Sequence, residues 1–472
     1  MNLSSILAAP DDLSPRQVYA DQLIEAGDPR GTFIAHQVAH ERLDPLDERY
    51  APMIASARRL ELKHRADWLA PILKKLKVKD VRDLRPVFRG GFLQRLALTP
   101  EQVKFFPFIA SQEPVAGIEL LVHEHLAPEF HRLEEPKAFR VLKVSPEGWF
   151  TANSAGNVLA WGMPALRELD LSRADLGTTG AQLLANEETD LADTFEGFVD
   201  PPPFEKGQLT RLVLQACQLG DAGVRTLISA EHLTALEELE LGGNRLGEEA
   251  TLEAMKKAKS LKTLRRLGLA GNAVPLDALV GWDVLPKLSA LSLPQSVSAS
   301  TLARLFPKPS PRLRELDVRS AKDLMKSPRA LLDAAEAFTN LHVGTTSLGD
   351  AGWQQLLTAR STQTLFHLQA NGCSLSDDAI TALCASKLKR LVTLDVSSNK
   401  LTDAALTSLM KWPGSELLTH LRIANNRKLT MKGYQALIDA KHFQPALLEV
   451  GKVADAKAKK ALEDRFGDAL AE

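Results

Sequence analysis

Cysteine is scarce in this chain of 472 residues: only Cys217, Cys373 and Cys384 occur. Three thiols cannot build a disulfide framework, and so few fit a reducing compartment. An excess of one charge is also missing. Against 58 Lys and Arg stand 59 Asp and Glu, a formal net charge of −1, so no global field draws the chain to nucleic acid or a membrane. No apolar run reaches the ~18 residues of a spanning helix. The opening "MNLSSILAAPDD" has neither the basic start nor the apolar length of a signal peptide. The expectation is a cytoplasmic protein.

Enzymatic signatures are missing as well. There is no Walker A loop, no GxSxG elbow, no dinucleotide fingerprint and no CxxC pair. No catalytic residue, cofactor or metal is therefore expected. "HQVAH" places His36 and His40 on one helix face at a spacing open to a metal, but it lacks the glutamate of a metalloprotease helix and a third ligand. "HEH" (123–125) with His131 reads as polar residues at a strand end. Cys384 in "ITALCASKL" falls on the inner side of a helical pattern, a poor place for a nucleophile.

What is present is a repeat. The content is 44% apolar and 25% charged, as in a folded protein, and the length exceeds one ordinary core unless the chain is an elongated array. The pattern LxxLxLxx(N/C) recurs with its first apolar position at Leu166, Leu209, Leu236, Leu264, Leu288, Leu313, Phe338, Leu365, Leu391 and Leu418. After the first interval the spacings are 24 to 28 residues. Weaker strands precede them at "FLQRLAL", "GIELLV" and "FRVLKV". The LxLxx part predicts a short strand with alternate residues inward. Segments such as 220–230, 349–359, 376–386 and 402–412 open on Asp or Ser and then turn apolar at helical spacing, which predicts a helix after each strand.

This pattern resembles leucine-rich repeats, and a strand plus helix in about 26 residues looks most like the ribonuclease-inhibitor class. The resemblance implies an α/β solenoid, a horseshoe with parallel strands on its concave face and helices on its convex face. The slot after each strand holds Ala174, Cys217, Asn244, Asn272, Ser296, Ala321, Thr346, Cys373, Asn399 and Asn426. The turn there strands backbone amides and carbonyls inside, and a side chain that donates and accepts can pair them. Cys217 and Cys373 are thus expected as buried ladder residues, and the turns at Ala174 and Ala321 as wet or distorted.

Residues 1–95 do not follow the repeat. "ILAAPDDLSPRQVYADQLIEAGDPRGTFIAHQ" predicts a helix opened by Asp11, Asp12, Ser14 and Pro15 and stopped at Gly27, then a second helix beyond "DPRG". With the later "FRGGFLQRL" (88–96), it resembles the short bacterial domain that accompanies leucine-rich repeats. That resemblance rests on Arg16, Tyr19, Asp21, Gly27, Asp28, Pro29, Arg30, Gly31 and Gln37 among others, and it implies no activity. The expected organisation is a mainly helical companion domain (1–95), a solenoid (96–450) and a capping helix (451–472) with Leu462, Phe466 and Leu470 inward. An acidic insertion sits near 186–207, read as a solvated loop or as an acidic, aromatic docking loop.

Residues 57–95 hold twelve Lys or Arg against four acids. A solvated face is the plainer reading, and nucleic-acid binding there is an alternative. Positions three and five of each unit face outward from the strands, free of the core. They include Glu238, Glu240, Arg266, Glu315, Asp317, His342, His367, Gln369, His420 and Arg422, the expected partner-binding residues. The set contains no Trp or Tyr, which suits a polar surface of moderate affinity. The overall expectation is a non-catalytic scaffold or regulator binding a protein partner, with no membrane or small-molecule ligand and with nucleic acid less favoured. The alternative is an enzyme or a small-GTPase regulator acting through the first 95 residues or the acidic loop.

Overall fold

The structure, a computed structural model, describes residues 3–10, 12–122, 134–191, 203–319, 321, 324, 328–453 and 455–471. Asp11, the histidines at 123–131 and residues 192–202 of the acidic insertion lie outside them. The chain forms two compact units: 1–38 with 65–288, and 39–64 with 289–472. The division thus falls inside the repeat array, and residue 95 lies within a strand.

The first unit opens with helices Leu3–Ala8 and Ser14–Glu25 and the start of helix Pro29–Arg42. A hairpin follows, β1 (Val87–Arg89) antiparallel to β2 (Phe92–Leu98). From β2 on, pairing is parallel through β3 (Gly117–Val122), β4 (Val141–Pro146), β5 (Glu168–Asp170), β6 (Arg211–Val213), β7 (Glu238–Glu240) and β8 (Arg266–Gly268). The strands expected at 92–98 and 117–122 are therefore present, and the one expected at 139–144 runs over 141–146. Each short strand buries its central leucine, Leu169, Leu212, Leu239 and Leu267. Each such side chain removed from water contributes roughly 1.5–3 kcal/mol. Helices Gly177–Leu184, Gly220–Ser229 and Glu249–Lys257 return the chain after β5, β6 and β7.

The residues singled out near the N-terminus hold the hairpin. Buried Arg16 donates from Nη1 to the carbonyls of Arg89 (2.7 Å) and Gly90 (3.1 Å). Gln37 Oε1 accepts from the Gly91 amide at 2.7 Å. Arg30 pairs with buried Glu113 at 2.6 Å. Gly91 has φ +83, and a Cβ there would stand 2.3 Å from Ile34 Cγ1, so only glycine lets the helix approach.

The second unit carries β9 (Ala290–Ser292), β10 (Glu315–Asp317), β11 (Asn340–His342), β12 (His367–Gln369), β13 (Thr393–Asp395), β14 (His420–Arg422), β15 (Leu447–Glu449) and β16 (Leu470–Ala471), all parallel. Helices Gly349–Thr358, Asp377–Ala385, Asp403–Lys411 and Met431–Asp439 alternate with the later strands. Helix Ala456–Phe466 buries Leu462 and Phe466 against the last coil. The chain then adds β16, a strand the repeat pattern does not predict. Trp353 and Trp412 are core residues here, and Trp282 is one in the first unit.

Buried asparagines tie successive coils together. Asn399 Oδ1 accepts from the amides of Cys373 and Leu375, both at 3.0 Å, and Nδ2 donates to the carbonyls of Ala370 (2.9 Å) and Val396 (3.0 Å). Asn244 does the same for Cys217, Leu219, Leu214 and Leu241. The thiols at this slot sit closest to one carbonyl each, Cys217 to Leu171 (3.1 Å) and Cys373 to Val343 (3.0 Å), with Gln215 O and Asn371 O farther off at 3.5 and 3.7 Å. Ala174 and Ala321 are fully buried. Their turns close on backbone bonds, Ala174 N to Leu171 O and Ala321 N to Val318 O. Ser296 is a correction: it is exposed, and Val297 takes the inward place. Pro294 lacks the amide the turn would otherwise use, and the pattern slips by one residue.

A second ladder joins helix starts. Asp350, Asp377 and Asp403 accept from the hydroxyls of Ser376, Thr402 and Thr430 in the next coil at 2.5–2.6 Å. Each Ser or Thr in turn caps its own helix. Among the described residues, no helix is long and apolar enough to cross a membrane.

Candidate functional site: the strand faces

In the first unit, strand pairing aligns Glu168, Arg211, Glu238 and Arg266 in one row across β5–β8. Neighbouring strands lie about 4.8 Å apart, so charges of alternate sign stand within reach of each other. Arg211 bonds Glu238 at 2.9 Å and approaches Glu168 at 3.9 Å, and Arg266 approaches Glu238 at 3.6 Å. All four are partly exposed. In the parallel row, Glu240 extends over Gly268, where a Cβ would stand 1.5 Å from its Oε2. The smooth centre noted in the sequence is thus room for a carboxylate.

Further along that row is Glu119, which repeat spacing did not reveal because its strand is an atypical first coil. It is buried, which pushes its pKa up. The Ser145 hydroxyl (2.7 Å), Arg85 (2.8 Å) and Lys143 (3.2 Å) outweigh that and hold it below the usual carboxylate value.

In the second unit, Asp317 is buried and carries Arg319 at 2.6 Å, with His342 Nδ1 at 3.9 Å. Glu315 accepts from Asn340 Nδ2 at 3.3 Å. Arg422 pairs with Glu449 at 3.0 Å. Gln369 is half-buried in the same row as His342 and Arg422.

His367 and His420 have a neighbour that repeat reading missed. Residues 39–64 pack on this unit, with Tyr50, Ala51, Ile54 and Ala55 of helix Tyr50–Trp68 against Phe366 and Val392. Tyr50 lies 5.1 Å from the Phe366 ring. Arg58 reaches Thr393 Oγ1 (3.0 Å) and Thr419 Oγ1 (3.3 Å), and pairing places His367 and His420 on either side of Thr393. Arg59 donates to the carbonyls of Gln444 and Glu416. Arg390 holds the preceding turn by the carbonyls of Pro45, Leu46 and Asp47. The spacing of Tyr50, Ala51, Ile54 and Ala55 was the available signal: an apolar, small-residue stripe on one helix face.

Burial, then Arg58, hold the His367 pKa well below its ordinary value. The same causes bring His420 down to about 3. Burial lowers Arg58 itself to about 10. His40 is stacked on Tyr50 at 4.5 Å, and His36 is depressed by burial. Among the described residues no group of three or more His, Cys, Asp or Glu is placed to hold a metal.

Several cations of 57–95 have internal roles. Arg58 and Arg59 hold their helix in place, Arg82 pairs with Asp80 and Arg85 with Glu119. Lys75 lies over Phe105 and Phe108. Lys74, Lys77 and Lys79 are exposed.

A family model described as Leucine Rich repeat matches residues 163–185 and 389–410. Ribonuclease inhibitor from Sus scrofa is 30% identical over 282 residues, which span 54% of this chain and 57% of the inhibitor. Among solved structures, the Rad7–Elc1 complex in yeast aligns with TM-score 0.40 and 20% identity, over 68% of this chain and 81% of that one. An internalin (inlF) from Listeria monocytogenes aligns with TM-score 0.33 and 15% identity, over 84% and 92%. The matched repeats, the likeness to the inhibitor's sequence and the strand-and-helix coils with their asparagine ladder together support a leucine-rich-repeat architecture similar to that of ribonuclease inhibitor.

Proposed function

We propose that this chain is a non-catalytic scaffold or regulator that binds another protein through the strand face of its repeats. Leucine-rich-repeat proteins generally mediate contacts between proteins. The observation that carries the reading is the row Glu168, Arg211, Glu238, Arg266. These side chains are not needed by the core and stand at fixed intervals on strands, so little ordering entropy is lost on binding. Glu240 extends the surface in the next row. A second support is the helix already held by the second unit, where neutral and charged strand residues receive a polypeptide.

On the second unit, Glu315, His342, Gln369 and Arg422 belong to the proposed surface, and buried Asp317 acts there only through Arg319, which it holds at 2.6 Å. His367 and His420 lie beside Arg58, and a partner using them displaces or shares the 39–64 segment. The non-catalytic reading is supported by the thiols: burial raises Cys217 to about 12, far from a nucleophile's range.

The test is an affinity capture from host lysate with two baits. One is the native chain. The other inverts the whole row, Glu168→Arg, Arg211→Glu, Glu238→Arg and Arg266→Glu, which keeps opposite neighbours while reversing what a partner meets. A protein held by the native bait and lost from the inverted one, with both melting alike, is the expected result. Equal recovery of every captured protein by both folded baits rejects this face as the binding surface.

A further inference from the structure

The turns that follow β13 and β14 form a groove of about 530 Å³ lined by Ser398, Asn399, Lys400, Asn425, Arg427 and Lys428. Three of the six are cations, and none is an acid. Lys400, Arg427 and Lys428 are all exposed. They make no ion pair and no side-chain hydrogen bond among the described residues. Some cations elsewhere on the coils are paired, Arg225 with Glu248, Arg319 with Asp317 and Arg422 with Glu449, and others such as Lys387 and Lys432 stand singly; here three share one concavity. Three uncompensated charges around one concavity repel each other, and the fold gains nothing from them.

The groove is also built on rigid backbone. Ser398 and Asn425 hold left-handed conformations at φ 55 and 59. The Ser398 amide is bonded across coils, to Ala424 O at 2.8 Å. Asn399 below is saturated by five backbone partners. The cations are thus mounted on a floor that does not need them. Coil stacking brings Lys428 beside Thr402 through a parallel bridge.

We propose that this groove is a docking site for an acidic peptide segment of a protein partner, with Lys400, Arg427 and Lys428 receiving its Asp or Glu carboxylates. Carboxylates complement the three cations. Nucleic acid is the weaker match, because the lining has no aromatic ring on which a base could stack. The site is separate from the charged row of the first unit and stands or falls independently of it.

The experiment measures fluorescence anisotropy of a labelled twelve-residue Asp/Glu-rich peptide with the full chain. The native protein is compared with the triple variant Lys400→Gln, Arg427→Gln, Lys428→Gln. A control variant carries Lys74→Gln, Lys77→Gln and Lys79→Gln, which removes equal charge elsewhere. The expected result is an affinity loss of about tenfold in the groove variant, the size three exposed ion pairs supply together. The control variant and the inverted-row variant should bind as the native chain does. Binding should weaken as salt is raised. Should the triple variant melt early, the pair Arg427→Gln, Lys428→Gln gives the same comparison. Equal loss in groove and control variants overturns the proposal, as does absent binding. Tighter binding of a single-stranded oligouridine of equal length, lost in the groove variant, assigns the groove to nucleic acid instead.

Discussion

Arg58 Nη1 donates to Thr393 Oγ1 at 3.0 Å, joining positions 335 apart in sequence. Its other hydroxyl partner is Thr419 at 3.3 Å. A partly desolvated cation is thus held by neutral hydroxyls, with Glu61 as a nearby negative charge. Thr393→Val keeps shape and removes one acceptor. Leaving a buried charged donor short of a partner costs about 1–3 kcal/mol. In an Arg58→Met background the same change should cost less than about 0.5 kcal/mol, because the donor is gone. Urea unfolding of the four proteins reads the cycle, and equal costs in both backgrounds would show that the bond contributes nothing.

Acid should loosen the same region. His367 and His420 are held neutral by burial and then by Arg58. The other charged or titratable groups nearby are His40 and Glu41 on helix Pro29–Arg42, Glu61 on the docked helix, and Asp317, His342, Asp395 and Arg422 on the strands. Both folded-state pKa values lie below the unfolded value of about 6.5. The stability from neutral histidine is therefore full above pH ~6.5 and falls as pH drops, toward about 3 for His420. Each histidine adds a slope of up to ~1.4 kcal/mol per pH unit in that window. Urea midpoints between pH 7.5 and 4.5 should decline, less steeply in His420→Gln, and amide exchange in 50–62 should rise first. A slope unchanged by His420→Gln would refute this assignment.

Asn399→Ala removes five buried backbone contacts at once. Unsatisfied buried groups cost about 1–3 kcal/mol each, and relaxation recovers part of the total. A loss of about 4 kcal/mol is expected, large for one substitution. Asn399→Cys should cost less, because a thiol can still serve one carbonyl, as Cys373 does with Val343. Chemical denaturation ranks them, and an alanine variant within ~1 kcal/mol of native would mean that water replaces the amide.

The difference between what could and could not be read from the sequence follows from range. Leu394, Asn399 and Thr402 repeat in neighbouring coils, so a period of 24–28 residues reports their roles. Pro294 breaks that period locally, which is why the slot moves from Ser296 to Val297. Arg58 and Arg390 have partners hundreds of positions away, and no local pattern encodes such a meeting. The charge row was legible residue by residue, but its alternation in space depends on strand pairing. The aspartate–hydroxyl ladder was half visible: the caps were read, the bonds between coils were not.

The thiols provide the last prediction. Only the thiolate attacks a disulfide reagent. Cys217 is fully buried, and its pKa rises to about 12. Cys373 is buried and also raised, while Cys384 is half-buried and raised by burial to about 11. At pH 8 the thiolate fraction is then about 10⁻³ for Cys384 and 10⁻⁴ for Cys217, against roughly a quarter for a free thiol near 8.5. Native protein should react slowly with Ellman's reagent, at Cys384 before the other two, while urea-unfolded protein should yield all three thiols at one fast rate. Mass mapping after partial reaction gives the order. Fast labelling of Cys217 in the native state would mean that its coil opens readily, and that the ladder slot it fills does not hold the solenoid closed there.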